Sequence, residues 1–558
     1  MLLAAIVTIL TSAMDHDVAV YPPTPHAMID GRLAAFVAGQ AQGHSLEVQN
    51  APTRPLTRDP GYGRPPLPSS RLRLAAGSAV AITLRCSDGG TFANVSDVRG
   101  VGFSAAMVKS SEGELNFMLP PPTAEHPSAH YYLKANIVGG AALPPGVNAS
   151  QLFLFWLDLP AQPEPRRARA LITAMGVIAN SSEAQTAAIQ RAIDDAAMAR
   201  VGLIFPAGYY RSGALLIPSH SWIELAPGAL LQMPAPFDPD FVAPTGRPVG
   251  CPSDFAFLQI HNATNISLHG GGATLDAHGF PGHALCVSNS SHVNVSSVLI
   301  RQSASWNTHI FRSSNVSMIG VKLFSGADGF DPNSSQDVRI DSAFVHSNDD
   351  AFAVKTASGP GHDATRIVMS NALISTKKSA MKVGTESLSD FKDVLFTDIE
   401  AFDIDRGLVM YPSDGGQFDS IRWQRVRISS FLPYHDEPEP ENKAGTWLDV
   451  AVQHRKGLSQ MMNITAQGIE VDCVCGSAHI KGTAGALVQN VALEDLTLAV
   501  TSPLPFFRKE GKPWLISCDG GVDSATVSAL RMAVSYRSEA DKAQWRGIQP
   551  TPGCLQLG

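Results

Sequence analysis

The chain has 558 residues, of which 44% are hydrophobic and 16% charged, with 42 basic against 50 acidic residues and a formal net charge of −8. That composition supplies large apolar cores and carries too little charge for a disordered chain. No Lys/Arg block of five or six occurs, which excludes the phosphate-neutralising surface of a nucleic-acid binder, and no apolar run approaches the roughly 18 residues of a membrane-spanning helix.

The N-terminus, residues 1–13, resembles a secretory signal peptide. Residues 2–10 are a short apolar run and Thr11-Ser12-Ala13 offers small residues for cleavage, although no positive charge precedes the run. Asn94, Asn148, Asn180, Asn262, Asn265, Asn289, Asn294, Asn315, Asn333 and Asn463 all stand in Asn-x-Ser/Thr, ten of the eighteen asparagines. Such triplets fit glycosylated surface loops, and Asn and Ser equally suit turns between short strands. The expectation is a secreted, extracellular or cell-wall protein. Seven cysteines are present. Cys251–Cys286 and Cys518–Cys554 are reasonable disulfide pairs in an exported chain, with connectivity left open.

Residues 14–165 read as an all-β module. Short alternating runs at Leu72–Leu84, Glu114–Leu119, Tyr131–Val138 and Leu152–Leu157 are separated by Pro and Gly clusters, which suits a β-sandwich. Pro160 to Arg169 reads as a linker. A helix over 183–198 follows. Ser182-Glu183-Ala184-Gln185 has the form of a capping box, and Ile189, Ala192, Ile193, Ala196 and Ala197 recur at helical spacing.

From about residue 203 one unit recurs. Asn265-Ile-Ser-Leu, Asn294-Val-Ser-Ser, Asn315-Val-Ser-Met, Asp337-Val-Arg-Ile, Asp393-Val-Leu-Phe and Asn490-Val-Ala-Leu are variants of it. The steps Val295 to Val316 and Val316 to Val338 are 21 and 22 residues. Self-similarity at that period, in short strands without intervening helices, predicts a right-handed parallel β-helix over 166–558. The helix before it would cap the open N-terminal end, whose unpaired strand edge invites aggregation.

A solenoid brings residues one repeat apart onto one face. Asp328 lies in Gly-Ala-Asp-Gly-Phe-Asp, ending at Asp331, and Asp349 and Asp350 lie in Asn-Asp-Asp-Ala-Phe-Ala-Val-Lys, ending at Lys355. The 21-residue interval from Asp328 to Asp349 predicts facing carboxylates on adjacent coils. An inverting glycosidase needs an acid and a base about 6.5–9.5 Å apart with water between them, and clustered like charges raise one pKa into the range of a general acid. An acidic solvated turn or a Ca²⁺ site is the competing reading.

These two motifs resemble the active-site coils of the polygalacturonases, family 28 glycoside hydrolases. The region before 160, at Phe103–Leu119 and Leu152–Pro160, is similar to the N-terminal β-sandwich of the family 49 dextranases and isopullulanases. The resemblance implies a pectin-lyase-like solenoid and an inverting aspartate triad. Asp349 would be the general acid, with Asp328 and Asp350 holding the water as base. It further implies that Arg406 meets the substrate, a polysaccharide or oligosaccharide. Lys382 and Lys355 are candidates for positive charge at the cleft or else solvated lysines, and Asp331 joins them as a candidate substrate-binding residue. This chain departs from the pattern at two places. No His stands near Lys378-Ser379-Ala380, and Leu408 replaces the Lys that pairs with the Arg.

No cofactor motif or metal-ligand spacing is present. His309, His346 and His362 are scattered. Trp306, Trp423 and Trp447 would be either sugar-stacking platforms or core. Gly270-Gly271-Gly272 is a tight turn, not a phosphate loop. Two other functions compete with the hydrolase. A β-helix lyase would need a base for the C5 proton and usually Ca²⁺, and a non-catalytic carbohydrate-binding solenoid would use the same concave face.

Overall fold

In the computed structural model the described residues are 168–234, 256–432, 445–483, 485, 488–503, 514–519, 527–548 and 556–557, together with segments at 19–20, 34–36, 45–47, 69–75, 80–84, 91–99, 105–111, 114–123, 128–138 and 148–158. The signal-like residues 1–13 and the linker at 160–167 lie outside them, apart from Ala168 and Arg169 at its end. So do Cys86, Cys251 and Cys554.

Nearly all of the architecture is β, and most of it is parallel. One 12-stranded and one 20-stranded sheet run along the chain from residue 169 as the stacked faces of a parallel β-helix. The strands of the 12-stranded sheet that carry the site are β1 (His283–Ser288), β2 (Thr308–Phe311), β3 (Phe330–Asn333), β4 (Phe352–Thr356), β5 (Ser379–Ser387), β6 (Arg406–Pro412) and β7 (Thr446–Ala451). Alternate residues point inward, because successive side chains of a strand face opposite sides. The inward ladder Phe330, Phe352, Met381, Leu408, Leu448 is almost completely buried. Phe352 also meets Phe396, which stacks on Trp423 with centroids 6.2 Å apart.

The recurring Asn/Asp has a conformational cause. Asn265, His292, Asn315, Asp337, Arg366, Asp393, Ser420, Asn463 and Asn490 occupy one register position, and all have positive φ. Each coil bends there through the left-handed region, which Asn and Asp enter more readily than other non-glycine residues. The register also corrects the repeat spacing. Val316 pairs with Val293, not Val295, so Asn294-Val-Ser lies two residues out of step with its neighbours. Asn333 is buried and bonded inside the fold, so its triplet is a structural turn, whereas Asn262, Asn265, Asn289, Asn294, Asn315 and Asn463 are exposed.

The helix, α1, spans Thr186–Ala199, three residues later than the expected start. Gln185 is the N-cap residue and no side chain caps it. Ser181 bonds Glu183, and Gln185 bonds the backbone of Ile178 instead. The predicted apolar stripe is the buried face, with Ile193 lining a small apolar space together with Phe205, Leu215 and Ile223 of the first coils.

Before residue 160 the strands Ala19–Val20, Ser69–Ala75, Asn148–Asp158, Ser128–Val138 and Thr91–Arg99 form one sheet, and Val80–Leu84, Glu114–Leu119 and Lys109–Ser111 a second. Tyr132 and Trp156 of the first sheet pack on Leu299, Phe344, Leu373 and Phe402 of the solenoid. Cys286 and Cys518 are each disulfide-bonded, to partners outside the described residues, and Cys473 and Cys475 are free thiols.

Candidate active site

The turns that precede β3 and β4 are built alike. Ser325 and Ser347 pair in register at the end of the preceding strands. The Ser325 hydroxyl donates to the Asp328 carbonyl at 2.7 Å, and the Ser347 hydroxyl donates to that of Asp349, also at 2.7 Å. Thr376, one coil further, donates to the Asp349 carbonyl as well. Hydroxyls at one register position thus aim successive acidic turns the same way. Gly329 follows Asp328 because the coils nearly touch there: a Cβ would lie 2.4 Å from the Ala351 carbonyl oxygen and 2.7 Å from Val345. Its N–H donates to the Asp350 carbonyl at 2.9 Å.

Phe330 pairs with Phe352, so the register neighbour of Asp328 is Asp350, and Asp349 is offset by one residue. The 21-residue interval therefore compared positions that do not align. The carboxylates nevertheless converge. One oxygen from each of Asp328, Asp349 and Asp350 lies within 4.8 Å of the other two. Three oxygens so placed share a point about 2.8 Å from each, the length of an O–H···O hydrogen bond, so one water can be held by all three.

Their environments differ. Asp350 is buried and accepts from Lys382 Nζ at 2.6 Å and from the Ser379 N–H at 2.9 Å. Burial alone would raise its pKa, but the charges of Lys382 and Arg406 override it and hold the carboxylate well below the usual range. Asp328 is buried and accepts from Lys355 Nζ at 2.6 Å. Asp349 is the most open of the three. Its Oδ1 accepts from the Asp350 N–H at 2.9 Å. Burial, then the charges of Asp328 and Asp350, push its pKa up to about 7.

Lys355 and Asp331, expected to meet substrate, lie beneath the trio. The Lys355 side chain is 5% exposed and also sits 2.9 Å from Asp331, whose side chain is wholly buried. Each is the other's ion-pair partner, and Lys355 also pairs with Asp328. Burial, then the neighbouring Asp328, raises the Asp331 pKa well above the ordinary range against the pull of Lys355. Lys382 reaches the trio from β5. Arg406, at the start of β6, places Nε 3.2 Å from Asp405 and donates from Nη1 to the Tyr411 hydroxyl at 3.2 Å, and that hydroxyl donates to Asp449. Leu408 points into the core.

Several further groups surround the trio, among them Trp306 and His309, which the sequence raised without placing them there. Lys355 Nζ lies 3.7 Å from the centre of the half-buried Trp306 ring. Trp306 stacks with His283 and meets His309 edge-on. Asn333 donates to His309 Nε2 at 3.2 Å, and burial, then His283 and Lys355, keeps His309 neutral. Glu386 sits between Lys355 at 4.0 Å and Arg455 at 3.8 Å. Only the register reveals these neighbours, since His309 and Asp331 are paired residues on β2 and β3. Trp423 and Trp447 are fully buried and cannot be sugar platforms.

The trio also has the form of a cation site. Two of its carboxylates, however, already face lysine ammonium groups at 2.6 Å. Those lysines supply the neutralising charge that a hard divalent cation would bring, and would repel one.

No protein-family model matches the chain. A curated relative, a probable polygalacturonase of Vitis vinifera, is 24% identical over 238 residues, 37% of this chain, and the match spans 48% of the relative, about half its length. Among solved structures, the Agl-KA catalytic domain superposes with a TM-score of 0.50 at 13% identity, covering 86% of this chain and 88% of that one. Dex49A from Penicillium minioluteum gives 0.48 at 12% identity, covering 88% and 94%. At these identities the structural likeness is one of fold, an elongated parallel β-helix.

Proposed function

We propose that this protein is a glycoside hydrolase that cleaves a polysaccharide through the Asp328, Asp349 and Asp350 trio. The observation that carries the reading is the division of protonation within one cluster. Asp349 is pushed up to about 7, while Asp350 beside it is held ionised by Lys382. Carboxyl groups whose environments drive their pKa values apart are an acid and a base.

Asp349, the most open, donates its proton to the glycosidic oxygen as the bond breaks. Asp350 and Asp328 hold the attacking water between them, and one of them takes its proton. Lys382 keeps Asp350 ionised and Lys355 is the ion-pair partner of Asp328, so that a base is ready and the oxocarbenium-like charge is stabilised. Arg406 contacts the sugar from β6. The lysine engagement disfavours a lyase, because neither Lys355 nor Lys382 is available as a neutral base for a C5 proton.

Inversion is our reading of the stereochemistry, resting on a water shared by two carboxylates. Export is supported by the disulfide state of Cys286 and Cys518 and by the exposed sequons. The two sheets before residue 160 form a β-sandwich in this proposal, and α1 closes the first coil of a domain spanning 166–558.

The test is reducing-end release from a glycan panel, with Asp349→Asn in parallel and the first-formed anomer followed by proton NMR. Release abolished in the variant, with the inverted anomer first, is the expected result. Ultraviolet-absorbing unsaturated products, or a variant as active as the parent, would overturn the reading.

A further inference from the structure

We infer that the glycan is neutral around the bond that is cut, and is not a polyuronate. This rests on the hydrolase reading and adds the substrate class to it. A site that cleaves between uronates must present unengaged cations to the sugar carboxylates, through charge-assisted hydrogen bonds.

Around the trio the cations are engaged by the protein itself. Lys355 Nζ stands 2.6 Å from Asp328 and 2.9 Å from Asp331. Lys382 stands 2.6 Å from Asp350. Arg406 faces Asp405 at 3.2 Å and the Tyr411 hydroxyl at 3.2 Å. Arg455, the most open of them, forks onto Asp414 with contacts of 2.8 and 2.5 Å.

Lys382 and Arg455 cannot be lent to a substrate. Asp350 is 3% exposed and the Asp414 side chain is fully buried. Drawing Lys382 or Arg455 away would leave a buried charge uncompensated, which is the costly way to break such a pair. A uronate would also meet the carboxylate of Glu386, which is 35% exposed. A neutral pyranose meets no such conflict. Its hydroxyls can donate to the carboxylates there.

The experiment compares polygalacturonate with the same polymer fully methyl-esterified, which keeps the backbone and removes the charge, alongside dextran, pullulan and a neutral galactan. Reducing-end release is read as kcat/KM at low salt. At least one neutral substrate is expected to exceed free polygalacturonate by about 100-fold or more, the size that like-charge juxtaposition implies. Cleavage of the free acid at a comparable or higher rate would overturn this inference while leaving the hydrolase reading intact. If no glycan is cut, the hydrolase reading fails. The inference is then decided by titrating Asp349→Asn with neutral and uronate oligosaccharides of equal length. Tighter binding of the neutral series supports it, and tighter binding of the uronates, or of neither, overturns it.

Discussion

Replacing Asp349 by Asn isolates the raised carboxyl without disturbing its backbone contact, since the amide oxygen still accepts from the Asp350 N–H. The Asp349 pKa is shifted from 3.8 to about 7 by burial and by Asp328 and Asp350. An unfolded chain would ionise it near its ordinary value, so between the two values the folded state binds more protons and stability falls as pH rises. The contribution is fully present below about pH 4 and lost as pH passes 7. Three pKa units at about 1.4 kcal/mol each give about 4 kcal/mol as the ceiling for this one group. At about 2.1 cal/mol/K per residue over about 390 residues from position 166, that is a shift of about 5 °C in Tm. Asp349→Asn should therefore be catalytically dead yet melt about 5 °C higher than the parent at pH 8, with the two curves meeting near pH 4. Calorimetric melts across that range, with reducing-end assays on the same samples, read both effects. Equal Tm at pH 8 and pH 4 would refute the raised pKa, and retained activity would refute the acid role.

Lys382→Met removes the nearest cation from buried Asp350, so the carboxylate pKa rises and the acidic limb of the kcat/KM profile moves to higher pH; an unmoved limb would show that Lys382 does not set the ionisation of the base. Lys355→Met leaves Asp328 and Asp331 without their shared ammonium, at a cost of about 3–5 kcal/mol in denaturant unfolding. It should lower kcat, and a rise in KM alone would place Lys355 in substrate contact after all. Trp423→Ala in the solenoid core should lose about 3–5 kcal/mol while the remaining folded enzyme keeps its kcat/KM. Chelation by EDTA should leave the rate unchanged, because lysines rather than a divalent cation neutralise the trio; loss of activity restored by added Ca²⁺ would contradict that.

Periodicity made the solenoid legible because every coil must bury the same inward positions and bend at the same corner. Val293, Val316 and Val338 recur as core, and Asn265, Asn315 and Asp337 recur where φ turns positive. Those are local constraints, met one residue at a time, and a sequence displays them directly. The acidic motifs were visible for the same reason, as turns repeated at the coil length. Register was not. Reading Val295 for Val293, and Asp349 for Asp350, as the partner on the next coil shifted the comparison by one or two residues, since motif likeness does not report which backbone hydrogen bonds form. The start of α1 was misplaced likewise, because Ser182 has capping chemistry but the chain does not turn helical until Thr186.

What only the tertiary structure decided is which charges meet. Lys355 is 27 residues from Asp328, and Lys382 is 32 from Asp350, yet each pair stands 2.6 Å apart, and the direction of each lysine separates a buried counter-ion from a hand for substrate. Composition and spacing identify the carboxylates. Whether one of them holds its proton depends on the dielectric and on cations within a few ångströms, quantities that exist only once neighbouring coils have closed over them.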